Sequence, residues 1–258
     1  MENLISALIM AVIQGITEWV PVSSSGHLVL AERLLGYSGG LQFDVALHFG
    51  TLMAVFVYFG KDIIDIVEDI VKGKWKSENA KLGWLLIVAS VPAAIAGLLF
   101  KKYFEVAFGS LGIVALGFGI TGLILFIASL DLRVMRDKQI GWKKALFIGV
   151  AQALALFPGI SRSGMTISSG LLLGLNEKNA LKFSFLMSIP VIIGANIVAI
   201  GSEKLPSELI WATLIAFAVG LIVIHLLLKH ILTSRKNLRW FAAYCLILAL
   251  LLGILLLV

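Results

Sequence analysis

Six stretches of this chain, each close to twenty residues, are apolar enough to cross the hydrocarbon core of a bilayer, which takes about 20 such residues. They cover residues 41–60, 82–100, 111–130, 183–201, 209–228 and 240–258, and all but the first are free of Lys, Arg, Asp and Glu. The first carries Asp44 and His48 near its start. Runs of this length read as membrane-spanning α-helices. Composition agrees: 14% of the chain is charged and 60% hydrophobic, where a soluble domain is roughly 25% charged. The first basic residue is Arg33, which argues against a secretory signal peptide, since such a segment places positive charge ahead of its apolar run. The single cysteine, Cys245, excludes an internal disulfide or a cysteine metal cluster.

Two further regions, 1–40 and 143–175, are apolar but interrupted. The first interruption reads Gln14-Gly15-Ile16-Thr17-Glu18-Trp19-Val20-Pro21-Val22-Ser23-Ser24-Ser25-Gly26-His27. The second reads Gln152-Ala153-Leu154-Ala155-Leu156-Phe157-Pro158-Gly159-Ile160-Ser161-Arg162-Ser163-Gly164-Met165. Aligned on the glutamines, Ser23 meets Ser161, Ser25 meets Ser163 and Gly26 meets Gly164, with the prolines offset by one. Polar turns of this kind are tolerated at membrane depth only where they are buried in protein or line a cavity. The apolar pieces around each turn are too short to cross alone. Each region is therefore expected to be a re-entrant hairpin, with one short helix entering, the motif turning, and a second short helix returning.

Loop charges sort on that reading. The connections 61–81, 131–144, 176–182 and 229–239 hold 5, 5, 2 and 4 Lys/Arg, against 2 and 1 in 101–110 and 202–208. Orientation follows this bias, so the first set is cytoplasmic and both termini lie outside. The first hairpin then dips in from outside and the second from the cytoplasm. The expected fold is all-α and polytopic, with six transmembrane helices plus two re-entrant helical hairpins in an inverted-topology repeat. It forms a single membrane domain, 1–258, with halves of about 1–130 and 143–258, and broken helices in such repeats meet near the midplane. The net charge of +6 belongs to short loops of a membrane protein, and nucleic acid is not an expected partner.

Ionisable residues at membrane depth mark functional sites by default, which singles out Glu18 and Arg162. The plainer roles are an interfacial carboxylate for Glu18 and, for Arg162, a partner for a helix C-terminus or for Glu18 itself. The guanidinium presents a rigid fork of donors matched to phosphate oxygens. Ser161 and Ser163 add hydroxyls beside it, and a helix starting near Met165 would offer free N–H groups to an anion. In the other turn a serine hydroxyl needs a base to become a nucleophile. His27 lies three residues after Ser24, and Glu18 is expected to orient that histidine or to hold a metal. Capping of the returning helix is the competing role for one or two of these serines. Gln14 shares a helix face with Glu18 at i,i+4. His48 and Asp44 could face the same cavity or simply sit at an interface. Asn196 reads as interhelical glue, and His225 and His230 as helix-end residues.

Taken together the turns resemble those of the bacterial undecaprenyl-diphosphate phosphatase family, known for bacitracin resistance. Gln14, Glu18, Pro21, Ser23, Ser24, Gly26 and His27 match its first pattern, and Pro158, Gly159, Ser161, Arg162, Ser163 and Thr166 match its second. Gln14 stands where many members carry Glu, leaving Glu18 as the carboxylate of this turn. The resemblance spans essentially the whole chain. It implies hydrolysis of undecaprenyl diphosphate to undecaprenyl phosphate and inorganic phosphate, which recycles the lipid carrier of cell-wall synthesis and lowers sensitivity to bacitracin. It further implies a divalent cation, Mg²⁺ or Ca²⁺, held by Glu18. Location would be the bacterial plasma membrane, with the site opening to the outer face.

On this reading Glu18, Ser24, His27 and Arg162 are catalytic. Ser23, Ser25, Ser161, Ser163, Thr166 and Gln14 bind substrate. Ser24 attacks phosphorus while His27 takes its proton, or water attacks with His27 as base. A homodimer is compatible with the sequence. The alternative function is a carrier-lipid transporter or flippase, because inverted repeats with broken helices also serve transport. Phosphate release in detergent, where transport is impossible, separates the two.

Overall fold

The structure is a computed structural model that describes residues 2–130, 140–199 and 207–257. Among them it is all-helical, without a strand. Most of the basic loop 131–144 and of the connection 202–208, both used above to orient the chain, lies outside the described residues.

The first interrupted region forms α1 (Glu2–Thr17) and α2 (Ser24–Leu35), and the second forms α8 (Trp142–Leu154) and α9 (Arg162–Leu172). Even the longest of these, α1 at 16 residues, reaches only about 24 Å at 1.5 Å per residue, short of a hydrocarbon core of about 30 Å. Partners in each pair pack together, α1 against α2 and α8 against α9. Helix α9 begins at Arg162, three residues earlier than its apolar pattern suggests, because Ser161 caps it by accepting the amide of Gly164 at 3.0 Å.

Between and after the pairs run the long helices α3 (Gly40–Tyr58), α5 (Glu78–Leu99), α7 (Leu111–Ser129), α10 (Glu177–Ala199), α11 (Ser207–Leu226) and α12 (Leu238–Leu255). Five of them are long and apolar enough to span a membrane. The sixth expected span, α3, continues after a bend of 78° into α4 (Gly60–Val71), so the pair counts as one broken span or as a re-entrant loop. Its cause is compositional. After Phe59 the chain carries Lys61, Asp62, Asp65 and Asp69 on one face and Ile63, Ile66 and Ile70 on the other. That stripe docks on α5 at Gly83, where an added Cβ would come within 2.8 Å of Ile66. A short helix not anticipated from sequence, α6 (Lys101–Phe108), fills the connection before α7.

The surface is unusually apolar for a folded chain. Leu98, Leu116 and Leu250 are 70%, 69% and 65% exposed, while Gln14, Thr121 and Ser184 are fully buried. An aliphatic surface around a core that encloses a small set of buried polar groups suits a lipid solvent. The chain is a multi-pass membrane protein. Helix α7 packs along α12, α3 along α11, and α3 meets α10. Helix α1 lies on α11 and α8 lies on α5, so each short pair leans on a long helix of the opposite half. Asn196, expected to bond across helices, instead bonds Ile192 O of its own helix at 2.7 Å.

The second turn sits directly on the backbone of α7. Gly159 has φ +87, and a Cβ there would lie 2.2 Å from Val114 O; conversely a Cβ on Gly117 would lie 2.4 Å from Pro158 O. Gly159→Ala is expected to destabilise the protein by about 2–4 kcal/mol through overpacking and backbone strain. Thermal unfolding in detergent checks this against Gly141→Ala, where nothing lies within 4 Å of the added methyl. An equal shift in the two variants would contradict the close approach.

Candidate active site

The two turns share one local construction. Ser23 caps α2 by accepting Gly26 N at 3.3 Å, the capping role weighed from sequence for that turn, and Ser161 caps α9 in the same way. In each turn the serine two positions on stands 3.2 Å away, Ser25 from Ser23 and Ser163 from Ser161. The repeated Ser-x-Ser-Gly thus encodes a cap, a neighbouring hydroxyl and a residue without a side chain. That last feature is needed because the turns touch: a Cβ on Gly26 would meet Phe118 at 2.6 Å and Gly159 Cα at 3.0 Å. Ser163 donates across to Val20 O at 3.2 Å. Thr121, from the middle of α7, donates to Gly159 O at 3.0 Å and accepts from Ser161 N at 2.9 Å, stapling the second turn from both sides. Ser23 is the one non-glycine residue of positive φ (73°) among those described. Such conformations hold about 1–3 kcal/mol of strain and concentrate at functional sites.

At this junction Glu18 and Arg162 form an ion pair through Oε1 and Nη2. The other carboxylate oxygen accepts from Ser24 Oγ at 2.6 Å and Gln14 Nε2 at 3.1 Å, and His48 Nε2 lies 3.6 Å from it. Arg162 also donates to Ser184 O at 3.4 Å and lies over the Trp19 ring at 5.4 Å. Thr166 anchors the same place, bonded to Ser184 Oγ at 2.6 Å and Arg162 O at 2.8 Å. An isolated charge at this depth would be strongly unfavourable, and each ion here compensates the other. Arg162 is also the first residue of α9, at the positive end of that helix.

His27 does not join this cluster. Its Nδ1 is 2.7 Å from Ser23 O and its Nε2 is 2.7 Å from the hydroxyl of Tyr244 on α12. The ring stacks parallel to Tyr244, with Phe118 edge-on at 5.2 Å. The expected contacts from Ser24 to His27 and from Glu18 to His27 are thus replaced: Ser24 bonds Glu18, and His27 is drawn toward the Ser23 carbonyl and α12.

Gln14, Glu18, Ser23, Ser161, Ser163 and Thr166 are buried in this conformation, whereas Ser24, Ser25, His27, His48 and Arg162 keep partial exposure. Sequence reasoning named His48 and Asp44 as cavity candidates without a partner. It missed Tyr244, Thr121 and Ser184, polar residues within largely apolar helices, and the one signal available was that such residues turn inward in membranes.

A hard divalent cation fits part of this donor set. Among the described residues no three His, Cys, Asp or Glu gather into a metal cluster. Gln14 Oε1, beside Glu18, is nevertheless a buried oxygen without a partner. Mg²⁺ is commonly bound by one or two carboxylates completed by phosphate oxygens of the substrate.

Over residues 7–251 the chain matches the family described as bacitracin resistance protein BacA. Undecaprenyl-diphosphatase 1 of Pseudoalteromonas translucida (strain TAC 125) is 39% identical over 257 residues, covering 95% of this chain and 96% of that protein. The undecaprenyl-diphosphatase of Methanosphaera stadtmanae is 39% identical over 264 residues and 95% of both chains.

Proposed function

This chain belongs to the bacitracin resistance protein BacA family, and from that premise we propose that it is an undecaprenyl-diphosphatase working at the junction of the two turns. It hydrolyses undecaprenyl diphosphate to undecaprenyl phosphate and inorganic phosphate, recycling the lipid carrier of cell-wall synthesis and thereby conferring bacitracin resistance. The observation that carries the site is the meeting of Glu18 and Ser24 from the first turn with Arg162 from the second. The architecture is read as an inverted-topology repeat with α1–α2 and α8–α9 as re-entrant hairpins. Support comes from their shortness, their matching serine caps, and the reciprocal packing of α1 on α11 and α8 on α5. Opening of the site toward the outer face of a plasma membrane follows from the loop-charge bias.

In the mechanism, the diphosphate takes the place that the Glu18 carboxylate occupies at Arg162. The guanidinium and the first-turn amides of α9 hold the phosphate oxygens. Release from Arg162 makes Glu18 more basic, and Ser24, already donating to it at 2.6 Å, is placed to pass its proton there as Oγ attacks phosphorus. The anhydride oxygen leaves on the lipid phosphate, and water activated by His27 then cleaves the phosphoserine. In the direct version the same water attacks the diphosphate and Ser24 only binds. Glu18 and Gln14 Oε1 would hold a divalent cation, which when bound neutralises charge on the leaving phosphate.

Phosphate release from undecaprenyl diphosphate in detergent tests the activity, run with and without chelator to test the metal. Ser24→Ala is expected to lower turnover by about 10³-fold or more if the covalent route operates. Turnover within tenfold of the unmodified protein would leave the water route, and no release by the unmodified protein would remove the proposal.

A further inference from the structure

Resting on the reading that His27 takes the proton of the attacking water, we propose that it does so through the hydroxyl of Tyr244, which makes this tyrosine a catalytic residue. Both ring nitrogens of His27 are engaged. A carbonyl can only accept, so the contact of Nδ1 with Ser23 O at 2.7 Å places a proton on Nδ1. The neutral ring then carries its lone pair on Nε2, and the hydroxyl at 2.7 Å must donate to it. No bare lone pair is left to face water.

Nor does the ring turn freely to expose one. It lies 5.7 Å from the Tyr244 ring at an interplanar angle of 7°, and Phe118 meets it edge-on at 90°. The Ser23 carbonyl is itself aimed by the left-handed backbone of that residue, and it also accepts the His27 amide at 3.2 Å. The Tyr244 oxygen, having donated its proton to His27, still has lone pairs with which to accept from water, and the residue is partly exposed.

The step balances. As the water oxygen bonds to phosphorus, its proton moves to the Tyr244 oxygen while the Tyr244 proton moves to His27 Nε2. Tyr244 ends neutral and unchanged, and His27 ends as imidazolium. The P–O bond to the leaving group breaks, with its electron pair on the lipid phosphate or, for a phosphoserine, on Ser24 Oγ. Relay through the hydroxyl also explains why this tyrosine comes from α12, far from the motif in sequence. It meets α2 at His27 Nε2, and on this proposal the histidine acts on the water by way of it.

Tyr244→Phe removes the hydroxyl and keeps the stacked ring, so the melting temperature in detergent should stay close to that of the unmodified protein. Phosphate release from undecaprenyl diphosphate is expected to lose kcat by about 10²-fold or more, the usual worth of general base catalysis, with KM little changed. The double variant with His27→Ala should be no slower than His27→Ala alone, because the pair acts as one unit. Rates in mixed H₂O and D₂O give a readout independent of the amount of folded protein: a curve for two protons in flight in the unmodified enzyme, a straight line in Tyr244→Phe. A Tyr244→Phe enzyme at near-normal rate beside an inactive His27→Ala overturns the relay alone. His27→Ala at full rate overturns the base as well, and losses that multiply in the double variant also refute the relay.

Discussion

Replacing Arg162 by alanine is expected to lower turnover of undecaprenyl diphosphate by about 10³-fold or more, the range in which a guanidinium stabilises a transferring phosphoryl group. The loss has two sources. The fork that receives the phosphate oxygens disappears, and Glu18, 5% exposed at its side chain, is left without its counter-ion. A lysine separates these effects. It restores a positive charge near Glu18, and with it part of the stability, but as a point charge it cannot reproduce the two-toothed geometry. Arg162→Lys should therefore melt closer to the unmodified protein than Arg162→Ala does, yet remain slow. Near-normal turnover by Arg162→Ala would eliminate the phosphate-binding role.

Glu18→Gln is the second large effect. The amide is nearly the same shape and can still accept from Ser24, but it cannot balance Arg162 or take up a proton. Breaking a buried pair by neutralising one partner costs about 3–5 kcal/mol, and loss of the carboxylate should reduce kcat by at least about 10²-fold. Both readouts come from one preparation, as a melting temperature in detergent and a rate of phosphate release. Glu68→Gln is the matched control, since the Glu68–Lys72 pair is exposed on α4 and should matter little. A Glu18→Gln protein that melts and turns over like that control would sink the assignment.

Uncharged runs of twenty residues announce themselves, and five of the six proved to be unbroken helices of spanning length. The two turns were visible because polar residues, prolines and glycines are conspicuous in apolar surroundings, and their common Ser-x-Ser-Gly reports a shared capping geometry. What stayed hidden was direction. Nothing local distinguishes Thr121 or Ser184 from any small hydroxyl residue in a membrane helix, and only packing decides that they face the second turn. The partner of His27 lies 217 residues away, on a helix whose pattern is apolar all round. Ser24 and His27 looked like a pair because they are three residues apart on one helix, but rotamer and backbone carry the imidazole elsewhere. The end of the first span near residue 60 was legible, but helix α4 beyond it was not, because an apolar window registers only where greasy sequence stops and the amphipathic face that docks α4 begins after that point.

The ion pair at the centre has a consequence for how the enzyme handles its own product. With no substrate bound, the Arg162 fork is filled by a tethered carboxylate at a high effective concentration, so any mobile anion must compete with an intramolecular rival. Orthophosphate brings charge but no hydrocarbon, and it is at a disadvantage in that contest. The prenyl diphosphate arrives anchored in the same membrane, and partitioning of its tail offsets what the displacement demands. On the proposed mechanism the pair would favour lipid-borne pyrophosphate over the free anion and hasten the departure of the phosphate that hydrolysis leaves behind.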